Sequence, residues 1–184
     1  MRLWFAAAAM LLSALTLAQA AQAPRADGPG YKLGNGGRPP QRIAFPAIRD
    51  WHSLKITLSR TMCFGACPSY HVEIDGNGHV SYTGEANVAV KGDASAEIPR
   101  AQVRRLYNAF RKAQFFWLYD AYRAPITDLP EYHIGISYDG HSMDVVDYMG
   151  QGIGMPRAVV DLERLIDKTA HTERWVKTDP AVQR

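Results

Sequence analysis

The chain has 184 residues, of which 47% are hydrophobic, and its 21 basic and 18 acidic residues give a formal net charge of +3. Removal of a predicted signal peptide takes away Arg2 and no acidic residue, which lowers this charge from +3 to +2. So small and dispersed a charge gives no argument for an anionic membrane surface as a partner, and nucleic acid is not expected as one.

Residues 1–20 have the pattern of a secretory signal peptide. Arg2 precedes an apolar run from Leu3 to Leu17, and Ala18-Gln19-Ala20 supplies a cleavage site of small residues. The apolar run is shorter than the roughly 18 residues of a membrane span. We therefore expect a periplasmic or secreted protein with no stable membrane span after cleavage.

Proline and glycine dominate the next segment, residues 21–51. Such a composition offers too little apolar surface to offset the ordering of the chain, so it predicts a flexible tether or a loosely packed arm. Residues 52–176 are long enough for one domain with its own core. Residues 177–184 form the predicted tail.

Alternating apolar and polar residues predict four strands in the first half of the domain, at 54–58, 70–74, 80–82 and 88–92. For Ile74 and Val80 to share a face, residue 74 must pair with 80 and residue 72 with 82. The register leaves a three-residue turn in which Gly78 takes a left-handed conformation.

In the second half of the domain, the spacing of apolar residues predicts a helix, a hairpin and another helix. Apolar residues recur at helical spacing over 103–110 and 159–166. Between these helices, a two-residue turn at Asp139-Gly140 pairs Ile136 with Met143. The order predicts an α+β fold in which a mostly antiparallel sheet of five or six strands carries two helices on one face.

Cys63 and Cys67 are the two cysteines of the chain. In an exported protein we expect them to form a structural disulfide. The alternatives are a thiol-redox pair or a Cu(I) site, because Cys-x-x-x-Cys-Pro resembles the copper-binding loop of exported thioredoxin-like copper chaperones. That architecture requires a helix starting at the second cysteine, whereas residues 68–74 alternate as a strand.

The segment Cys63-Phe64-Gly65-Ala66-Cys67-Pro68-Ser69-Tyr70 resembles the signature of the bacterial domain-of-unknown-function 6438 family. The resemblance covers roughly residues 52–168 and includes Thr127-Asp128-Leu129-Pro130 and the Asp139-Gly140 hairpin. It implies an exported location and a shared fold. It implies no activity, since the family is named for having none assigned.

Other residues give little indication of catalysis. The six histidines show no spacing typical of a zinc site, so neither a metal nor another cofactor is expected. Asp128 could be the general acid of a hydrolase, or its carboxylate could accept backbone N–H groups in its turn. Four aromatic residues could line a ligand groove or cap the core where helix meets sheet: Trp51, Trp117, Tyr119 and Tyr122.

Phe64 leaves two interpretations open. Held in a tight loop between Cys63 and Gly65, it could contact a partner at little ordering cost, or it could fold back as a lid on the core. The candidate contact surface on the first interpretation comprises Phe64, Gly65, Tyr70 and Asp128.

These observations favour a non-enzymatic exported module that binds an envelope protein or ligand whose identity the sequence does not indicate. A thiol-redox or copper-binding protein that uses Cys63 and Cys67 is the alternative, and a hydrolase is the third hypothesis.

Overall fold

The computed structural model describes Arg38 and residues 43–177. The predicted signal peptide, most of the predicted tether and residues 178–184 of the predicted tail lie outside these residues. Within the described part of the chain, no helix combines the length and the apolar character needed to cross a membrane.

Seven strands and two long helices form the domain. The strands are β1 (Lys55–Arg60), β2 (Ser69–Asp75), β3 (His79–Ala86), β4 (Gly92–Glu97), β5 (Ala121–Arg123), β6 (Tyr132–Tyr138) and β7 (His141–Tyr148). The helices are α1 (Arg100–Lys112), α2 (Arg157–Ala170) and the short α3 (Glu173–Val176), with 3-10 turns at Trp51–Ser53, Phe115–Trp117 and Gly150–Ile153.

The strands form one sheet in the order β4-β3-β2-β1-β6-β7-β5. Neighbours are antiparallel except β5, which runs parallel to β7. The predicted α+β fold is therefore confirmed, with four strands, a helix, three strands and a helix along the chain. The sheet has more strands than predicted because β5 is only three residues long, too short to show alternation.

Both predicted hairpins have the predicted register. Ile74 lies opposite Val80, and Ile136 lies opposite Met143. In the first turn Gly78 has a φ of +103°, in the left-handed region that glycine tolerates. The carboxylate of Asp75 stabilises this turn by accepting the backbone amides of residues 77–79 at 2.8 to 3.0 Å.

The prediction of a strand at residues 88–92 is wrong. Residues 87–90 are bends, and β4 begins only at Gly92. Asn87 and Gly92 have φ values of +54° and +80°, which turn the chain away from an extended path. The polar segment after Gly92 becomes a strand because it pairs with β3 at the sheet edge. Its own sequence has little tendency to form one.

The core lies between one face of the sheet and the two long helices. Helix α1 buries Val103, Leu106, Tyr107 and Phe110, the positions that its apolar spacing predicts. Helix α2 buries its apolar stripe over the same face of the sheet, and it also buries Glu163.

The packed part of the chain begins N-terminal to the predicted boundary at residue 52. Phe45, in the predicted tether, packs with its ring centroid 5.1 Å from that of Phe116 and 5.5 Å from that of Tyr107. The carbonyl of Pro46 accepts the hydroxyls of Tyr107 and Tyr138 at 3.1 and 2.8 Å. Composition averaged over residues 21–51 conceals these local contacts.

Candidate functional site

Three loops meet at one end of the sheet. The β1–β2 loop contains the cysteines, the β5–β6 loop contains Asp128, and the β7–α2 loop begins at Met149. Strand direction places them together, because β1, β5 and β7 all end at this edge. We call this edge the loop end.

The cysteine loop is closed on itself. The sulfur atoms of Cys63 and Cys67 lie at disulfide distance, 1.93 Å apart, and neither is free. The side-chain amide of Asn87 donates to the Cys67 carbonyl at 3.1 Å. Strand β2 begins at Ser69, and no helix starts at the second cysteine. The loop therefore lacks the helix that the copper-chaperone alternative requires.

Phe64 is 90% exposed, so the interpretation of this ring as a lid on the core is wrong. It belongs to a group of large apolar side chains exposed on the three loops, which we call the apolar loop patch: Met62, Phe64, Ile126, Leu129 and Met149. Isolated exposed apolar residues are ordinary on protein surfaces, but these five all lie on loops at one edge of the sheet.

Hydrogen bonds join the cysteine loop to the β5–β6 loop, and the β5–β6 loop to the end of β7. The amide of Phe64 donates to the carbonyl of Asp128 at 3.1 Å, and that of Thr61 donates to the carbonyl of Glu131 at 3.0 Å. The Leu129 amide donates to the Tyr148 hydroxyl at 3.3 Å. The exposed side chains of the cysteine and β5–β6 loops therefore stand on backbones that are hydrogen-bonded to each other.

The structure assigns different places to the other candidate residues. Asp128 lies beside Phe64 with a φ of +70°, and it contributes its backbone carbonyl to the contact. Its carboxylate accepts only the neighbouring Thr127 hydroxyl, at 3.0 Å, among the described residues. Gly65 lies next to Phe64 in the cysteine loop, where its amide donates to the Cys63 carbonyl at 2.9 Å. Tyr70 is 3% exposed, which corrects its assignment to the contact surface.

Tyr70 belongs to a polar network beneath the loop end. Its hydroxyl donates to Asp167 of α2 at 2.7 Å, and the hydroxyl of Thr172 donates to the same oxygen at 2.8 Å. Arg60 at the end of β1 donates to the other oxygen of Asp167 at 2.6 Å and lies 4.2 Å from the centre of the Tyr132 ring. The network fixes α2 against the strands from which the cysteine loop emerges.

Burial and charge shift the pKa values of this network in the expected directions. Burial, reinforced by the charge of Asp167, raises the pKa of Tyr70. Burial alone would lower the pKa of Arg60, but Asp167 and Tyr70 raise it above its usual value. Arg60 therefore stays charged at every physiological pH.

A buried carboxyl pair adjoins this network. Glu163 is 2% exposed and Asp147 is 6% exposed. Burial, followed by the charge of Asp147, raises the pKa of Glu163 to about 8, so Glu163 holds a proton at neutral pH. Asp147 accepts the Gly150 amide at 2.7 Å, which ties the pair to the β7–α2 loop.

The sequence analysis missed this pair, although it contains a signal for it. Position 163 follows Val159 by four residues and precedes Ile166 by three, so Glu163 falls within the apolar stripe of α2. Nothing in the sequence indicates that Asp147 faces it. Among the described residues, no group of three His, Cys, Asp or Glu side chains is arranged to hold a metal ion.

The fold and the loop end together define a small α+β domain with a disulfide-closed loop that presents an aromatic side chain. Residues 54–170, well over half of the chain, match the model of the family described as a domain of unknown function, DUF6438. The chain belongs to this family, as its cysteine motif indicates. No curated protein matches the chain.

Proposed function

We propose that this protein is an exported binding module that contacts a protein or ligand of the cell envelope through the apolar loop patch. The observation that carries the proposal is the 90% exposure of Phe64 on a loop closed at Cys63 and Cys67. A large aromatic ring presented in this way provides contact area, and aromatic anchors contribute much of the binding energy at interfaces.

The contacts around Phe64 support this function because they order the cysteine loop before any partner binds. The disulfide, the Phe64–Asp128 hydrogen bond and the Asn87–Cys67 hydrogen bond hold the loop in the absence of a partner. A loop ordered in advance loses little conformational entropy on association. The partner would offer an apolar pocket for the Phe64 ring.

Photo-crosslinking in the native host tests the proposal. Benzoylphenylalanine replaces Phe64 in one variant and Asn108, an exposed residue of α1, in a control variant. We expect a discrete crosslinked product in the periplasmic fraction from position 64 only. The same products at both positions, or none at position 64, would exclude the apolar loop patch as the contact surface.

Fractionation tests the export that this function assumes. The mature chain should be recovered from the periplasm or the medium, shortened at residue 20 or a few residues beyond it. Recovery of the full-length chain from the cytoplasm would refute the envelope location, whatever the crosslinking shows.

A further inference from the structure

A second candidate surface lies at the opposite end of the sheet. A cavity of about 290 Å³ opens there between the first turn of α1, the β2–β3 turn and the 3-10 turn at Trp51–Ser53. Its lining includes three guanidinium groups, those of Arg49, Arg100 and Arg104. Asp50 is the one acidic residue among the described lining residues, and its carboxylate accepts the His52 amide at 2.9 Å.

Two of these arginines are oriented by uncharged partners. The guanidinium carbon of Arg104 lies 4.9 Å from the centre of the Trp51 ring, which itself packs edge-on against Tyr107. A terminal nitrogen of Arg100 donates to the side-chain oxygen of Asn77 at 2.8 Å. These contacts orient the two guanidinium groups but do not neutralise their positive charges.

No carboxylate of a described residue forms an ion pair with the three arginines. Asp139, the nearby acid, accepts the backbone amide of Arg49, and its charge also attracts the Arg49 guanidinium. Of the eight other described arginines, four have a carboxylate partner and four have none, so the three at the cavity are distinguished by lying around one opening. The cavity therefore gathers three cationic side chains, and the charges of Arg100 and Arg104 in particular have no carboxylate partner among the described residues and could attract an anion.

We propose that this cavity binds a phosphate group through Arg49, Arg100 and Arg104. A guanidinium presents a planar fork of donors that matches two phosphate oxygens, and several forks around one cavity suit the negative charge of a phosphate group. Because Trp51 and Asn77 already orient two of the forks, binding requires little further ordering. The phosphate belongs either to a soluble ester or to the headgroup of an anionic lipid.

Calorimetric titration of the purified chain distinguishes these sources. Glycerol 3-phosphate is the soluble probe, and vesicles of phosphatidylglycerol are compared with vesicles of phosphatidylcholine. Whichever of the two probes binds the parent protein, we expect the double variant Arg100→Gln, Arg104→Gln to bind it at least about tenfold more weakly. Arg105→Gln is the matched control, because Arg105 is an exposed residue of the same helix that does not line the cavity.

Arg104→Lys keeps the charge and removes the fork, so we expect intermediate binding. Binding of glycerol 3-phosphate identifies a soluble ester, and binding confined to phosphatidylglycerol vesicles identifies a lipid headgroup. Binding of neither probe overturns the proposal, and so does an equal loss in the double variant and in Arg105→Gln. Thermal unfolding of each variant verifies that it is folded. Because this surface is separate from the apolar loop patch, either result leaves the crosslinking test at Phe64 unaffected.

Discussion

The backbone amide of Phe64 donates a hydrogen bond to the carbonyl oxygen of Asp128 at 3.1 Å, which joins the cysteine loop to the β5–β6 loop. The contact fixes the backbone of Phe64 while its ring stays 90% exposed. Because the ring of Phe64 makes no core contacts, it can be replaced without loss of core packing. Mutation at this position can therefore test binding without changing the stability of the domain.

Phe64→Ala should change the free energy of unfolding by less than about 0.5 kcal/mol, as is usual for exposed positions. Denaturant unfolding measures this change. Phe110→Ala is the matched control, because Phe110 is fully buried and should lose about 3 to 5 kcal/mol. A loss of about 3 kcal/mol at Phe64 would show that its ring is packed in solution.

Gly78→Ala should destabilise the domain by at least about 2 kcal/mol. A Cβ atom at this position would lie 2.1 Å from the carbonyl oxygen of Ile98, in addition to the strain of a φ of +103°. Asn77→Ala is the control and should lose less than about 0.5 kcal/mol, since Asn77 is exposed. Equal losses at the two positions would contradict the steric explanation.

Reduction of the Cys63–Cys67 bond should lower the stability by about 2 kcal/mol, the chain-entropy value for so short a loop. A thiol assay on the denatured protein should detect no free thiol before reduction and two afterwards. The double variant Cys63→Ser, Cys67→Ser should show the same loss without a reductant. Two free thiols in protein purified from the periplasm would instead favour a thiol or metal function.

Glu163 should make the domain less stable as the pH rises from 5 to 8. Its pKa is raised from 4.5 to about 8 in the folded protein, so the folded state holds a proton that the unfolded state has already lost. The stabilisation is complete below pH 4.5 and is lost progressively as the pH rises through about 8, with a slope of at most about 1.4 kcal/mol per pH unit.

Glu163→Gln should remove this slope, because the amide stays uncharged beside Asp147. Unfolding free energies of the parent and the variant, measured across this pH range, give the difference directly and cancel the contributions of other groups. Asp161→Asn, on the exposed side of α2, is the matched control and should leave the slope unchanged. Parallel curves for the parent and Glu163→Gln would show that Glu163 is already ionised at neutral pH.

Local patterns determined much of the fold. Strict alternation fixes which residues share a face, so the pairing of Ile74 with Val80 and of Ile136 with Met143 follows from the positions of apolar residues and turns. Helical spacing likewise predicts the buried face of α1. The cysteine motif predicts the family, because its spacing is specific.

Tertiary structure decided what depends on distant parts of the chain. Gly92–Glu97 becomes a strand because β3 offers it hydrogen-bonding partners, and Tyr70 is buried because α2 places Asp167 over it. Phe64 and Asp128 meet only because β1 and β5 end at the same edge of the sheet. The sequence alone determined the spacing of apolar residues within each helix and strand. The neighbours that each side chain meets depend on how these elements pack against one another. That packing therefore decided which residues of the candidate sites are buried and which charged groups lie beside them.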